Sequence, residues 1–229
     1  MHVLKNLVTD KEDMENSNLK IVFATGNPHK VHEINEISKG HGIEFVLPPK
    51  DFDPIENGTT FEQNSFIKAQ TAAKLSKNIT LADDSGLCVE VLGNAPGIFS
   101  ARYAETPQAR IDKLLKNMYG KENRKAKFVC AMTLLDSDGN ILDQEVGECH
   151  GKIAKEQFGS NGFGYDPIFI PDGYDITIAQ MNEDLKNKIS HRSIALNKIL
   201  SYIGKNTMGI FYLHILVILL ILFLYIQIG

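Results

Sequence analysis

The hexapeptide Thr25-Gly26-Asn27-Pro28-His29-Lys30 follows the apolar run Lys20–Ala24 and precedes Val31, Ile34 and Ile37 at helical spacing. A loop between a strand and a helix aims backbone N–H groups and a positive helix end at one spot, which suits a phosphate. Gly26 lets the backbone approach closely, while Thr25, Asn27 and Lys30 add donors and positive charge. The spacing is not that of a Walker A loop. The same residues also suit an ordinary strand–helix turn capped by Thr or Asn. Asp83-Asp84-Ser85-Gly86 closes a second apolar run, Ile79–Ala82. Adjacent side chains of an extended segment point to opposite faces, so one acid faces a pocket while the other braces structure. A carboxylate at a strand end can hold magnesium, which prefers oxygen ligands and keeps its waters. A water acidified by such a metal is a nucleophile at neutral pH. A turn in which Asp and Ser bond only the backbone competes with this reading. Glu56 and Glu62 are the candidates for a second metal-fixing carboxylate, and each also reads as a solvated surface charge.

Two further segments carry polar chemistry. In Gly162–Phe169 (GFGYDPIF), Phe163 or Tyr165 can stack on a base, and Asp166 can bond a sugar or base edge. Ile168 and Phe169 suit core packing. Near the C-terminus, KNKISHRSIAL sets Lys186, Lys188, His191 and Arg192 around a helix start, with Ser190 as its N-cap. Cations at a positive helix end are unfavourable unless they meet a phosphate or a carbonyl-bearing base.

These residues need a scaffold, and the pattern supplies an α/β one. Strands are expected at Lys20–Ala24, Ile43–Leu47, Ile79–Ala82 and Val89–Leu92, and helices over Thr60–Ser76, Gln108–Tyr119 and Ser190–Ile203. Lys127–Leu135 and Ile141–Cys149 flank the turn DSDGN and read as a hairpin. The implied sheet is long and partly antiparallel. Of 229 residues, 43% are hydrophobic and 23% charged, so the chain can bury a core. A formal net charge of -4 argues against a nucleic-acid coat, which needs a basic surface. Cys88, Cys130 and Cys149 are far apart and odd in number, which fits a reducing compartment better than a zinc or disulfide framework. Residues 1–18 read as a polar extension. From Met208 to Gly229 the chain lacks Asp, Glu, Lys and Arg, and about 20 such residues can span a bilayer as a helix. That segment reads as a tail anchor for a cytoplasmic domain, as a buried terminal helix, or as a tail foreign to the working protein.

The motifs ATGNPHK, NGTTFEQNSFIKA, LADDSGLCVEVLGNAPGIFSARYA, GFGYDPIF and ISHRSIAL occur in this order between Lys20 and about Tyr202. Together they resemble the inosine triphosphate pyrophosphatases, also called XTP/dITP diphosphatases or Ham1-like proteins. The resemblance implies an elongated, two-lobed α/β fold with a mixed sheet, flanking helices and a central cleft, spanning 19–205, and a homodimer. It implies attack on the α-phosphorus of ITP, dITP or XTP, releasing a nucleoside monophosphate and pyrophosphate with the help of Mg2+. By the same resemblance Thr25, Gly26, Asn27 and Lys30 hold phosphates with Lys68, and Asp84 is the proton acceptor and a metal ligand. Ser85 touches the substrate, Phe163, Gly164, Tyr165 and Asp166 line the base pocket, and Lys186, His191 and Arg192 complete binding. Gln63 stands where the family often has a second acid, which leaves Glu56 as the second metal ligand. A diphosphatase for pyrimidine or methylated nucleotides, and a membrane-tethered sensor that binds without cleaving, are the alternatives.

Overall fold

Apolar residues at both ends of one long strand, with a polar gap between them, organise the molecule. The computed structural model describes residues 18–206. The 208–229 tail and nearly all of the N-terminal extension lie outside the described residues. Within 18–206 no helix is long and apolar enough to cross a membrane. β1 (Leu19–Phe23), α1 (Pro28–Ile37) and β2 (Ile43–Val46) form a parallel strand–helix–strand unit. α2 (Phe61–Ser76) crosses back to β3 (Thr80–Val89), which lies parallel to β1 on its other side. Parallel neighbours need such crossovers. A two-residue strand, β4 (Ala95–Pro96), folds back on β3, and α3 (Pro107–Asn117) follows. β5 (Lys125–Leu135) and β6 (Ile141–Ile153) are the expected hairpin, and β7 (Phe169–Pro171) pairs antiparallel with β6. α4 (Glu183–Ile189) and α5, helical from 191 to the end of the described residues, complete the chain. The sheet runs β2-β1-β3-β5-β6-β7, with β4 on β3.

Local chemistry explains the starts and turns. Asn27 caps α1 by accepting from the His29 N–H, and Pro28 occupies the first turn, where its missing donor costs nothing. Thr60 caps α2 by accepting from the Gln63 N–H. Gln63 Oε1 in turn accepts from the Thr59 N–H at 2.7 Å, so Gln63 itself closes the helix start. In the hairpin turn Asp136 accepts from the Asp138 and Asn140 backbones, each at 2.9 Å.

Three apolar clusters hold the layers together. Ile21, Phe23, Ile34, Met132, Leu196 and Ile199 bury α1 and α5 against one face of the parallel half of the sheet. Val22, Ala69, Ala73, Ala82 and Leu135 bury α2 against the opposite face. Leu87, Val89, Leu114, Met118, Phe128 and Phe169 form the core of the far half, under α3.

Three expectations are corrected here. Asp83 and Asp84 do not lie at a strand end, nor is Asp83-Asp84-Ser85-Gly86 the competing turn: β3 passes straight through, paired with β5 in unbroken register from Thr80 to Val89. The acids are tolerated in mid-sheet because cations from three helices meet them. Val89–Leu92 is likewise not a strand, since Glu90–Leu92 is a 3-10 turn. The basic cluster near the C-terminus also spans a break. Lys186 and Lys188 end α4, and Ser190 accepts from the Ser193 N–H to start α5.

Candidate active site

Asp83 and Asp84 occupy the gap between the two cores and face opposite sides of the sheet. Asp83 points to the α1 and α5 face. Lys30 Nζ donates to both of its oxygens at 2.9 Å, and Arg192 Nη2 donates to Oδ2 at 3.1 Å. Burial alone would raise the Asp83 pKa, but Lys30 and Arg192 overcome it and hold the carboxyl far below the usual range. Arg192, with 1% of its side chain exposed, also donates through Nη1 to Glu33 Oε2 at 2.7 Å and through Nη2 to Ser85 Oγ at 3.1 Å. A guanidinium has five N–H groups. With Nε also directed at Asp83, four of the five are engaged by these partners.

Asp84 points to the α2 face. Lys68 Nζ donates to its Oδ1 at 3.2 Å and lies 3.6 Å from Glu56. Of the two candidate acids, Glu56 is therefore the one beside this cluster. Oδ2 of Asp84 and Nδ2 of Asn64 are buried without a well-formed hydrogen bond among the described residues, although the Asn64 amide lies near enough to stabilise the Asp84 carboxylate. Burial, with Glu56 and Asp83 nearby, raises the Asp84 pKa against the pull of Lys68 and Asn64. The two neighbouring acids thus differ in their surroundings: cations hold the Asp83 carboxyl well below the usual range, whereas burial raises that of Asp84.

Base-pocket candidates gather at the α4 end. A cleft of about 480 Å³ opens between α1, the 161–163 loop and α4, lined by His29, Glu33, Phe163, Asn182 and Lys186 among others. Phe163 is 36% exposed, and Lys186 Nζ lies over its ring at 4.5 Å from the centroid. Asp166 accepts from the Phe163 N–H and from Lys186 Nζ, both at 2.9 Å, so it shapes the loop. Gly162 adopts a φ of 76°, and a side chain there would run into the Asp166 carboxylate. Tyr165 is buried in the far core and donates its hydroxyl to the Ser100 carbonyl at 2.9 Å, leaving Phe163 as the aromatic that faces the cleft. Thr25 is buried and accepts from the Asn27 N–H, so the phosphate loop is also a capped turn.

His191 stacks on Phe128, with ring centroids 4.8 Å apart and planes 12° from parallel. Burial, then Arg192 and Lys186, hold its pKa well below the ordinary value, so the ring is neutral and offers one N–H. Because the unfolded chain protonates first, stability falls as pH drops through the unfolded value near 6.5. The expected contribution is about 1.4 kcal/mol per pH unit below that point. Thermal unfolding between about pH 7.5 and pH 5 checks it, and a His191→Gln variant is expected to lose that part of the slope.

Three residues of the site escaped the sequence. Glu33 reads as a surface charge on α1, although it lies one turn after Lys30 and shares its face. Asn64 reads as a generic helix polar residue. Gly147 on β6 lets α5 approach, since a side chain there would collide with the His191 carbonyl and the Ala195 amide.

Comparison with known proteins identifies the family and the fold. The Ham1 family model matches residues 21–202. A dITP/XTP pyrophosphatase of Clostridium tetani is 45% identical over 188 residues, covering 78% of this chain and 93% of its own. One from Aquifex aeolicus is 40% identical over 193 residues, covering 79% and 95%. Among solved structures, the Staphylococcus aureus Ham1 protein superposes with a TM-score of 0.74 at 37% identity, covering 82% of this chain and 99% of its own. A HAM1 protein from Coxiella burnetii gives 0.75 at 38%, with the same coverage. With its family model matched from the first strand into the last helix, and its sheet shared with those structures, the chain belongs to the Ham1 family.

Proposed function

We propose that the chain hydrolyses deaminated purine nucleoside triphosphates (ITP, dITP and XTP) to the monophosphate and pyrophosphate. The observation that carries this reading is the division of labour at Asp83 and Asp84. One buried carboxylate organises phosphate- and base-side cations, while its neighbour keeps an oxygen without a well-formed hydrogen bond beside Lys68. The names of the curated relatives support the substrate class. In the reaction Asp84 accepts a proton as a water oxygen attacks the α-phosphorus. The bond from that phosphorus to the bridging oxygen breaks, and pyrophosphate leaves. Lys30, Lys68 and the Gly26 backbone N–H neutralise and orient the phosphate oxygens. Burial opposes the charge on Lys68, yet Asp83, Asp84 and Glu56 raise its pKa, so it stays cationic.

A divalent cation, magnesium in our reading, fits the same corner, because Asp84 Oδ2 is a buried hard donor without a well-formed hydrogen bond and Glu56 is close by. Asp84 and Glu56 would hold it, and when bound it supplies charge neutralisation and a more acidic water. At the other end Phe163 stacks on the base. The His191 N–H, the Arg192 guanidinium and Lys186 suit the 6-keto oxygen of hypoxanthine or xanthine. The 6-amino group of adenine would leave them unpaired, which is the costly mismatch.

The test is a substrate panel of ITP, XTP, ATP and GTP with magnesium, following pyrophosphate release. The keto purines without a 2-amino group are expected to lead ATP in kcat/KM by about two orders of magnitude or more. Comparable rates on ATP and ITP would sink the selectivity, and a preference for pyrimidine or methylated nucleotides would favour the sister activity.

A further inference from the structure

Asp83 is held almost entirely by side chains of its own protein. Besides Lys30 on both oxygens, Oδ2 receives the Ser85 hydroxyl at 3.2 Å, Arg192 Nη2 at 3.1 Å and Arg192 Nε at 3.4 Å. Its side chain has no exposed surface. With no surface open to the cleft and every printed partner drawn from the chain itself, it differs from Asp84. Its two cations come from distant parts of the chain, Lys30 from the first turn of α1 and Arg192 from the first turn of α5. Side by side they repel, and the carboxylate between them makes their proximity tolerable. Arg192 in turn reaches the base side, its Cζ 5.7 Å from the Phe163 ring centroid. Glu33 supports Arg192 and lies near Lys186, so it serves the base side only.

We infer that Asp83 is a positioning residue that locks phosphate-side Lys30 to base-side Arg192, so that grip on the phosphates and selection of the base are coupled. The inference rests on the functional reading above. A merely structural acid would lower the amount of folded protein without altering how the folded fraction ranks its substrates. A coupling acid alters the ranking itself.

The experiment compares wild type, Asp83→Asn, Lys30→Gln and the double variant on ITP and ATP, with thermal unfolding of each. Asp83→Asn is expected to lower the ITP-over-ATP ratio of kcat/KM by roughly tenfold, chiefly through KM. In the Lys30→Gln background the same substitution is expected to leave the KM for ITP within about twofold, since the phosphate-side partner is already gone. It still lowers the base ratio through Arg192. The double variant loses cation and counter-ion together, which protects folding if the single variant is unstable. The inference is overturned if the variants keep the wild-type ratio, or if the KM effects of the two substitutions simply add. Equal turnover of ITP and ATP by the wild type would instead overturn the functional reading itself, and the inference with it.

Discussion

Asp84→Asn is expected to cut turnover by about 10²–10⁴-fold while nucleotide binding survives, the loss typical of a removed general base. Asn keeps the shape of Asp and can still accept from Lys68 at the position now held by Oδ1, 3.2 Å away. It cannot accept the proton of the attacking water. Lys68 is also released from one of its carboxylate partners, so its attraction for phosphate grows. The loss should therefore appear in kcat, with KM unchanged or lower. Stability follows a sign that separates this from a folding defect. A carboxyl whose folded pKa lies above its unfolded value is destabilising once ionised, so the neutral amide is expected to leave the melting temperature unchanged or raised at pH 7. Equilibrium binding of ITP alongside single-turnover hydrolysis checks both halves. Unchanged turnover would remove Asp84 from the mechanism, and lost binding would make it a binding residue.

How much of this was legible beforehand depends on the distance over which each residue is satisfied. The β1–loop–α1 unit was readable because its signals are local: an apolar run, a Gly-Asn-Pro turn and a helical repeat lie within 18 residues, Lys20 to Ile37. The same holds for the β5–β6 hairpin, whose turn is satisfied by Asp136 within itself. The middle of β3 is illegible for the opposite reason. Asp-Asp-Ser-Gly is turn chemistry in isolation, and it becomes strand only because Lys30 and Arg192, 53 and 109 residues away, neutralise Asp83. α4 was missed because its seven residues bury no side chain and so carry no apolar period. That omission displaced Lys186 and Lys188 onto the start of α5, where they would have opposed its dipole. They close α4 instead, at the end that favours cations. Glu33 was invisible because a helix surface is full of acids, and nothing short of the fold brings one of them against a buried guanidinium. The candidate pocket was legible as a set of residues. Which of them face the cleft, as Phe163 does, and which are turned into the core, as Tyr165 is, was not.

Replacing Arg192 with Met is expected to be the most destabilising single change in the site. Met fills much of the space but leaves Glu33 and Asp83 buried with one cation fewer. Asp83 keeps Lys30, whereas Glu33 keeps only Lys186 at 3.9 Å and already has a buried Oε1 without a hydrogen bond. Breaking one side of a buried ion network costs about 3–5 kcal/mol, against about 1 kcal/mol or less for a surface pair. For a domain of this size that corresponds to a fall in melting temperature of roughly 6–20 °C. The source of the loss can be isolated. If the penalty is the uncompensated Glu33, then Glu33→Gln added to Arg192→Met is expected to recover a substantial part of it, although Glu33→Gln alone removes a favourable partner of Arg192 and is expected to destabilise. This reversal of sign between backgrounds is characteristic of a coupled charge pair. Thermal unfolding of the four proteins measures it directly. If Glu33→Gln destabilises both backgrounds equally, Arg192 is held by packing and not by charge. Activity provides the second axis, because the double variant regains stability without regaining the Arg192 guanidinium that we propose selects the base. Its ITP-over-ATP preference is therefore expected to stay low even where its melting temperature recovers.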